Sequence, residues 1–287
     1  FRRVLFRSIK SRWERLNRNW EDTLFVTIAR NFGFGKNGDA FERWACSFPL
    51  MAIGKHRDSV LQVEAVFFGQ AGLLEYDRPD IGDYYTSLRN EYNFLRHKFG
   101  LTPIDPSLWT WKVRPENFPE VRLAQLAVLY HKGGLNLSRM ISATDIDKIR
   151  DLLYTHAGGY WRTHYNFKGK ATSNESDKVL SKSSLDLIVI NSVVRFLFAY
   201  GRYKGDDILC DRSFELMESL KSEQNSYISK WEEAGVVCHS AADSQAIMQL
   251  SKNYCEKHNC LRCRFGYEYI KCTPNFLAEE KKEECSC

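Results

Sequence analysis

The sequence predicts an all-α fold: a compact multi-helix domain of about ten helices, closing on a C-terminal cysteine-rich helical hairpin. Three observations carry this. Apolar residues recur every three or four positions through most segments, the period of one helix face. No alternation of apolar and polar residues, the mark of a half-buried strand, runs longer than about four residues. Glycines and prolines mark the ends of the periodic segments, as at Gly33, Pro49, Gly100 and Gly133–Gly134. No internal repeat is visible.

In chain order, Trp13, Leu16, Trp20, Leu24, Ile28 and Phe32 share one face of a first helix over 13–32, which Gly33 and Gly35 end. Residues 39–48 form a short helix stopped by Pro49. Residues 59–74 form a mostly apolar helix carrying Glu64 and Gln70, with Gly69 and Gly72 loosening its end. Over 83–99, Tyr85, Leu88, Tyr92, Leu95 and Phe99 alternate spacings of three and four, and Gly100 closes an amphipathic helix. Pro103, Pro106 and Pro115 make 101–118 an irregular connection that Trp109 and Trp111 pack down. Pro119 suits a helix first turn, and that helix runs to Gly133–Gly134. Another covers 145–156, with Ile146, Ile149, Leu152 and Leu153 inward.

Residues 166–184 are polar, rich in Ser and Lys, and without period. They read as a mobile loop dividing two helical lobes, 9–165 and 185–272. Beyond it lie helices over 185–200, 213–220 and 226–234. Ser240 caps the next, in the outline of a capping box with Asp243 in place of Glu or Gln. Ala246, Ile247, Leu250 and Tyr254 share a face of it, and it delivers Cys255; residues 273–287 form a tail.

Composition narrows the class. Hydrophobic residues at 44% and charged residues at 27% are those of a globular chain. The longest apolar run, 185–200, is interrupted by Asp186, Asn191 and Arg195, so it reads as a buried helix and no membrane is expected. Residues 1–8, FRRVLFRS, are the in-frame translation of a common sequencing-adapter end, and are expected to be an artefact at the edge of a fragment. Arg2, Arg3 and Arg7 supply three charges, so the net +5 becomes +2 without them. A charge-based case for nucleic acid weakens accordingly. No apolar core of signal-peptide length follows, and the expected compartment is the cytoplasm.

Nine cysteines are too few and too clustered for a disulfide scaffold. Cys255, Cys260, Cys263 and Cys272 follow C-x4-C-x2-C-x8-C. Two cysteines three apart on a tight turn aim both sulfurs at one ion. These four are the expected metal set, for zinc or a [4Fe–4S] cluster in a structural role. His258, Cys238 and His239 are rivals for the fourth position, and incidental thiols are the plain alternative.

Glu64, Arg114, Arg122 and Gln125 are the ligand-binding candidates, the last three lying in RPENFPEVRLAQLA, unusually polar for its apolar flanks. Arg122, at a helix start, suits a phosphate or carboxylate. The structural alternative is a buried ion pair with Glu64 or Glu91. Asn191 is expected to satisfy a backbone group, and His156, His164 and Tyr165 to lie in a plain surface loop. There is no Walker A sequence, GxSxG, HExxH or dinucleotide glycine fingerprint.

Five strings carry a resemblance: VEAVFFGQAGLLE (63–75), EYNFLRHKFGL (91–101), WKVRPENFPEVRLAQLA (111–127), INSVVRFLFAYG (190–201) and DSQAIMQLSKNYCEKHNCLRCRFG (243–266). Together they resemble the bacterial domain-of-unknown-function 2851 family. The resemblance implies a longer parent that begins with a further domain, reminiscent of the restriction-endonuclease-like fold and missing here. Cys255, Cys260 and Cys263 match the family's cysteine pattern; Cys272, Cys285 and Cys287 do not. No activity carries over. The implied role is a non-catalytic helical module with a structural metal, supporting the nuclease-like domain on nucleic acid. The rivals are an enzyme with an unrecognised helical site around Arg114, Arg122 and Glu64, and a protein-interaction scaffold.

Overall fold

In the computed structural model, which describes residues 2–75 and 82–272, helix prevails nearly throughout, as the periodicity predicts. The chain divides into two units, Arg2–Met217 and the part from Glu218 onward. The segment 166–184, expected to separate two lobes, runs inside the first unit.

The first unit begins with α1 (Arg2–Arg15) and α2 (Trp20–Phe32), where the sequence predicts one helix. Asn17 and Arg18 turn to φ of 53° and 62°, and the Asn19 side chain accepts from the N–H groups of Glu21 and Asp22, starting a new helix. There follow α3 (Gly38–Ala45), α4 (Leu50–Gly54) and α5 (Val60–Gln70), the last capped by Ser59. Next come α6 (Asp83–Phe99) and α7 (Pro119–His131). Gly100, at φ 61°, ends α6 in the left-handed cap that glycine favours. After α7 come α8 (Leu137–Ser142), α9 (Ile146–Leu153), α10 (Lys182–Ile188), α11 (Val194–Lys204) and α12 (Asp207–Glu218).

Every residue from Val63 to Gln70 is buried, because α5 packs between α6 and α7. Its apolar character all round follows from that position. Gly69 does not loosen a helix end. It lies within α5, and a Cβ there would stand 2.2 Å from the Tyr92 ring, so glycine permits the close approach of α5 and α6. Trp44 of α3 anchors the same core, its indole N–H donating to the Phe67 carbonyl at 2.9 Å.

A five-residue π-turn (Val189–Val193) joins α10 to α11, making one helical run over Lys182–Lys204. That run exceeds the predicted 185–200 and by length and composition could cross a membrane, yet 67% of its most apolar window is buried inside the fold. Asn191 donates to the Leu187 carbonyl at 3.1 Å, the backbone role expected of it, and also accepts from Arg195 at 2.8 Å.

Between α9 and α10 stands the one sheet among the described residues. Strand β1 (His156–Ala157) pairs antiparallel with β2 (Lys178–Val179). Trp161, Phe167 and Leu180 are buried around it, so the polar segment is held at both ends.

The second unit contains α13 (Ser226–Glu233), α14 (Ala241–Leu250) and α15 (Arg264–Cys272). The capping box forms: Asp243 N–H donates to Ser240 Oγ, and Ser240 N–H to Asp243 Oδ2. A π-turn (Ser251–Cys255) and a 3-10 turn (Cys260–Arg262) complete the cysteine-bearing connection from α14 to α15.

Candidate functional site

Pro115 and Pro119 bracket a short 3-10 turn (Pro115–Asn117) that feeds α7. Helical side chains lean toward the N-terminus, so Arg122, in the first turns, reaches back over that entry. It is 5% exposed. Its guanidinium donates to Gln125 Oε1 at 2.7 Å and to Asn117 Oδ1, and lies 4.4 Å from the centre of the Phe34 ring. Its Nε has no partner. Neither this cation nor Lys178 forms an ion pair among the described residues. Burial lowers the Arg122 pKa to about 10, against the opposing charge of exposed Glu116.

Lys178 comes from β2 and is 6% exposed. Its ammonium donates to the Arg162 carbonyl at 2.9 Å and the Ser176 carbonyl at 3.2 Å, and sits 4.4 Å from the Tyr165 ring centre. Burial lowers its pKa as well. Gln125 clips strand to helix: its Nε2 donates to the Lys178 carbonyl at 2.6 Å, while its backbone carbonyl accepts from the Thr155 hydroxyl at 2.7 Å. Arg114, Arg122, Gln125, Tyr165 and Lys178 line a pocket of about 480 Å³, with Ser181, Ser183 and Ser184 on its wall and Glu116 and Asp177 contributing carboxylates.

Three of the four ligand-binding candidates thus come together. Glu64 is placed elsewhere. It accepts a hydrogen bond from the Tyr84 hydroxyl at 3.1 Å, and Tyr84 accepts from the Trp161 indole at 3.0 Å. Burial pushes the Glu64 carboxyl up to about 7. Glu120, bound at 2.9 Å by the Trp111 indole, is likewise raised to about 7 by burial. The ion pair expected between Arg122 and Glu64 or Glu91 does not form: Tyr84 of α6 holds Glu64, Gln62 holds Glu91 at 2.7 Å, and Arg122 turns toward Asn117.

In the second unit, Cys255 and Cys260 are exposed and Cys263 is buried. Burial raises the Cys255 thiol pKa, and the nearby Cys263 and Cys260 thiols raise it further. A Cβ on Gly266 would stand 2.4 Å from the Cys260 carbonyl oxygen, so glycine lets α15 close against the turn. Among the described residues no three or more His, Cys, Asp or Glu side chains form a group able to hold a metal ion. The side chain of Cys272, and all of Cys285 and Cys287, lie outside the described residues.

Residues 5–226 match the family model described as "Protein of unknown function (DUF2851)". The chain belongs to that family. The DUF2851 match contains every residue of the Arg122 pocket and stops short of the cysteine turn, which begins beyond residue 226. No curated protein and no solved structure matches the chain.

Sequence reasoning missed Lys178 and Phe34, and assigned Tyr165, which lines the pocket, to a plain surface loop. One signal was available: Val179-Leu180 is an apolar pair within the otherwise polar 166–184 run, a sign that the chain returns to the core there.

Proposed function

We propose that this member of the DUF2851 family is a non-catalytic helical module that binds an anionic group, a phosphate or carboxylate, between Arg122 and Lys178. The single observation that carries the reading is two buried cations on one pocket, neither in an ion pair. Glu116 and Asp177 act on these cations without pairing with them; a buried charge outside an ion pair is costly, and an anion in direct contact offsets that cost. Arg122 offers a planar fork and Lys178 a point charge, a complementary pair for a tetrahedral phosphate. Serine hydroxyls on the wall add donors. Nucleic acid is the polyanion this reading favours, presented to the N-terminal domain that the family resemblance implies. The six described cysteines are free thiols, which supports a cytoplasmic setting.

The alternative, an enzyme joining Glu64 to Arg122, has less support, since Glu64 is engaged with Tyr84 and does not line the pocket. For the second unit, a structural zinc or [4Fe–4S] site on Cys255, Cys260, Cys263 and Cys272 rests on the C-x4-C-x2-C-x8-C spacing alone.

The test is thermal melting of the chain with inorganic phosphate or sulfate, beside Arg122→Met. An anion at about 100 times its dissociation constant stabilises by about 2.7 kcal/mol. That corresponds to a rise in Tm of roughly 5–10 °C for a unit of this size. The variant should show no rise. A wild-type Tm indifferent to both anions would refute the proposal.

A further inference from the structure

A second cavity adjoins the first. It measures about 640 Å³ and is lined by Phe34, Lys36, Lys112, Val113, Arg114 and Asn117. Arg114 and Asn117 line both cavities, so the two share a wall. Phe34 lines only the outer cavity and Arg122 only the inner one, while ring and guanidinium stack at 4.4 Å. This pair therefore stands at the border where the two meet. On one side of it lies a buried cation, on the other an aromatic surface flanked by Lys36, Lys112 and Arg114.

Phe34 is held there against its own backbone preference. Its φ is 40°, the left-handed region that bulky side chains avoid. Strain of this kind persists where the surroundings over-determine it, and it concentrates at ligand sites. The surroundings here are explicit. Asn37, 1% exposed, donates to the Thr110 carbonyl and accepts from the Thr110 N–H, both at 2.9 Å, tying the turn that carries Phe34 to the wall opposite. Lys36 donates to the Lys112 carbonyl at 2.9 Å and makes a second tie. Neither tie uses the Phe34 ring.

A buried cation beside an aromatic surface with basic flanks suits a ligand carrying a phosphate next to a flat ring. We infer that the ligand unit is a nucleotide, its phosphate between Arg122 and Lys178 and its base against Phe34. This rests on the anion-binding reading above and adds the base subsite. The inner cavity has the volume of an ordinary ligand site; the outer one is a shallow, open depression, and base-on-aromatic stacking tolerates any base because each presents a π-face. The nucleotide is available either free or as the phosphorylated end of a strand.

Calorimetric titrations with inorganic phosphate, adenosine, adenosine monophosphate and a 5′-phosphorylated tetranucleotide decide the matter, on wild type and on Phe34→Leu. A phosphorylated nucleotide should bind at least about tenfold more tightly than inorganic phosphate, the gain of one stacked base. Phe34→Leu should lose that gain, so that nucleotide and inorganic phosphate bind the variant about equally. A 2-aminopurine nucleotide gives an independent reading: its fluorescence should be quenched on wild type and not on the variant. Tetranucleotide tighter than the mononucleotide assigns the site to strand ends; equal affinities assign it to free nucleotides. Phosphate binding with no gain from the base overturns this inference and leaves the anion reading standing. Adenosine binding as well as its monophosphate also overturns the inference. No binding by any of the four overturns both.

Discussion

Replacing Glu64 with Gln should make the protein more stable at pH 8 and leave it unchanged at pH 4.5. The carboxyl is buried in the middle of α5, receives one hydrogen bond from Tyr84, and is raised by burial from 4.5 to about 7. Below pH 4.5 the folded and unfolded chains both hold the proton, and the group contributes no difference. Between pH 4.5 and 7 the unfolded chain releases it while the folded chain keeps it, so stability falls as pH rises. Above pH 7 the loss is complete. Raising the carboxyl from 4.5 to about 7, at about 1.4 kcal/mol for each tenfold change in proton affinity, gives a loss of about 3 kcal/mol. Glutamine is neutral throughout, similar in volume, and still accepts from the Tyr84 hydroxyl. Urea unfolding at pH 4.5 and pH 8 measures the effect as a pH-dependent difference in midpoint. The expected gain at pH 8 is roughly 2–3 kcal/mol, against less than about 0.5 kcal/mol at pH 4.5. A variant less stable at pH 8, or one whose difference does not depend on pH, would refute the reasoning and imply a charged, stabilised carboxylate.

Two further expectations concern packing and the cysteines. Gly69→Ala places a methyl group 2.2 Å from the Tyr92 ring and should cost about 1–3 kcal/mol by overpacking, read as a lower urea midpoint with helical content retained. Cys260→Ser should release a bound metal and lower the Tm, because metal binding is coupled to folding. An unchanged melt, with no zinc or iron found by elemental analysis of the wild type, would return Cys255, Cys260 and Cys263 to the incidental thiols.

Much of the helical framework is legible in the sequence because its cues are local. The amphipathic period over 83–99 and the glycine behind it recover α6 end to end, and the capping box at Ser240 forms as its spacing predicts. The break between α1 and α2 is not legible by period. Trp13 and Trp20 stay in one stripe across it because they stack on each other, ring centres 5.2 Å apart, so the apolar spacing continues through a break. Only the backbone at Asn17 and Arg18 records it. The candidate site divides in the same manner. Arg114, Arg122 and Gln125 stand out as polar residues among apolar ones, and that contrast survives folding. Lys178 does not stand out, because a lysine among serines resembles a solvated loop; its burial comes from a pairing with β1 some twenty residues away. The partner of Glu64 was equally beyond reach, since choosing Tyr84 over Arg122 depends on which helix lies across from α5.

The separation of charge within the first unit is the strongest argument against a purely structural reading of Arg122. Besides Arg12, which is ion-paired with Glu42, the described residues of that unit bury two carboxyl groups, Glu64 and Glu120, and two further cations, Arg122 and Lys178. Pairing them would be the least costly way to hold four such groups inside a protein. The fold does otherwise. Glu64 receives a hydrogen bond from Tyr84, and Glu120 from the Trp111 indole and its own backbone N–H, all neutral donors, and burial raises both toward the protonated form. Arg122 feels the exposed Glu116 and neither of the buried acids. A core optimised for stability alone would bring these groups together or replace them with apolar side chains. Raising the acids toward the protonated form while leaving Arg122 and Lys178 outside any ion pair makes sense if a counter-charge for these cations arrives from outside the chain.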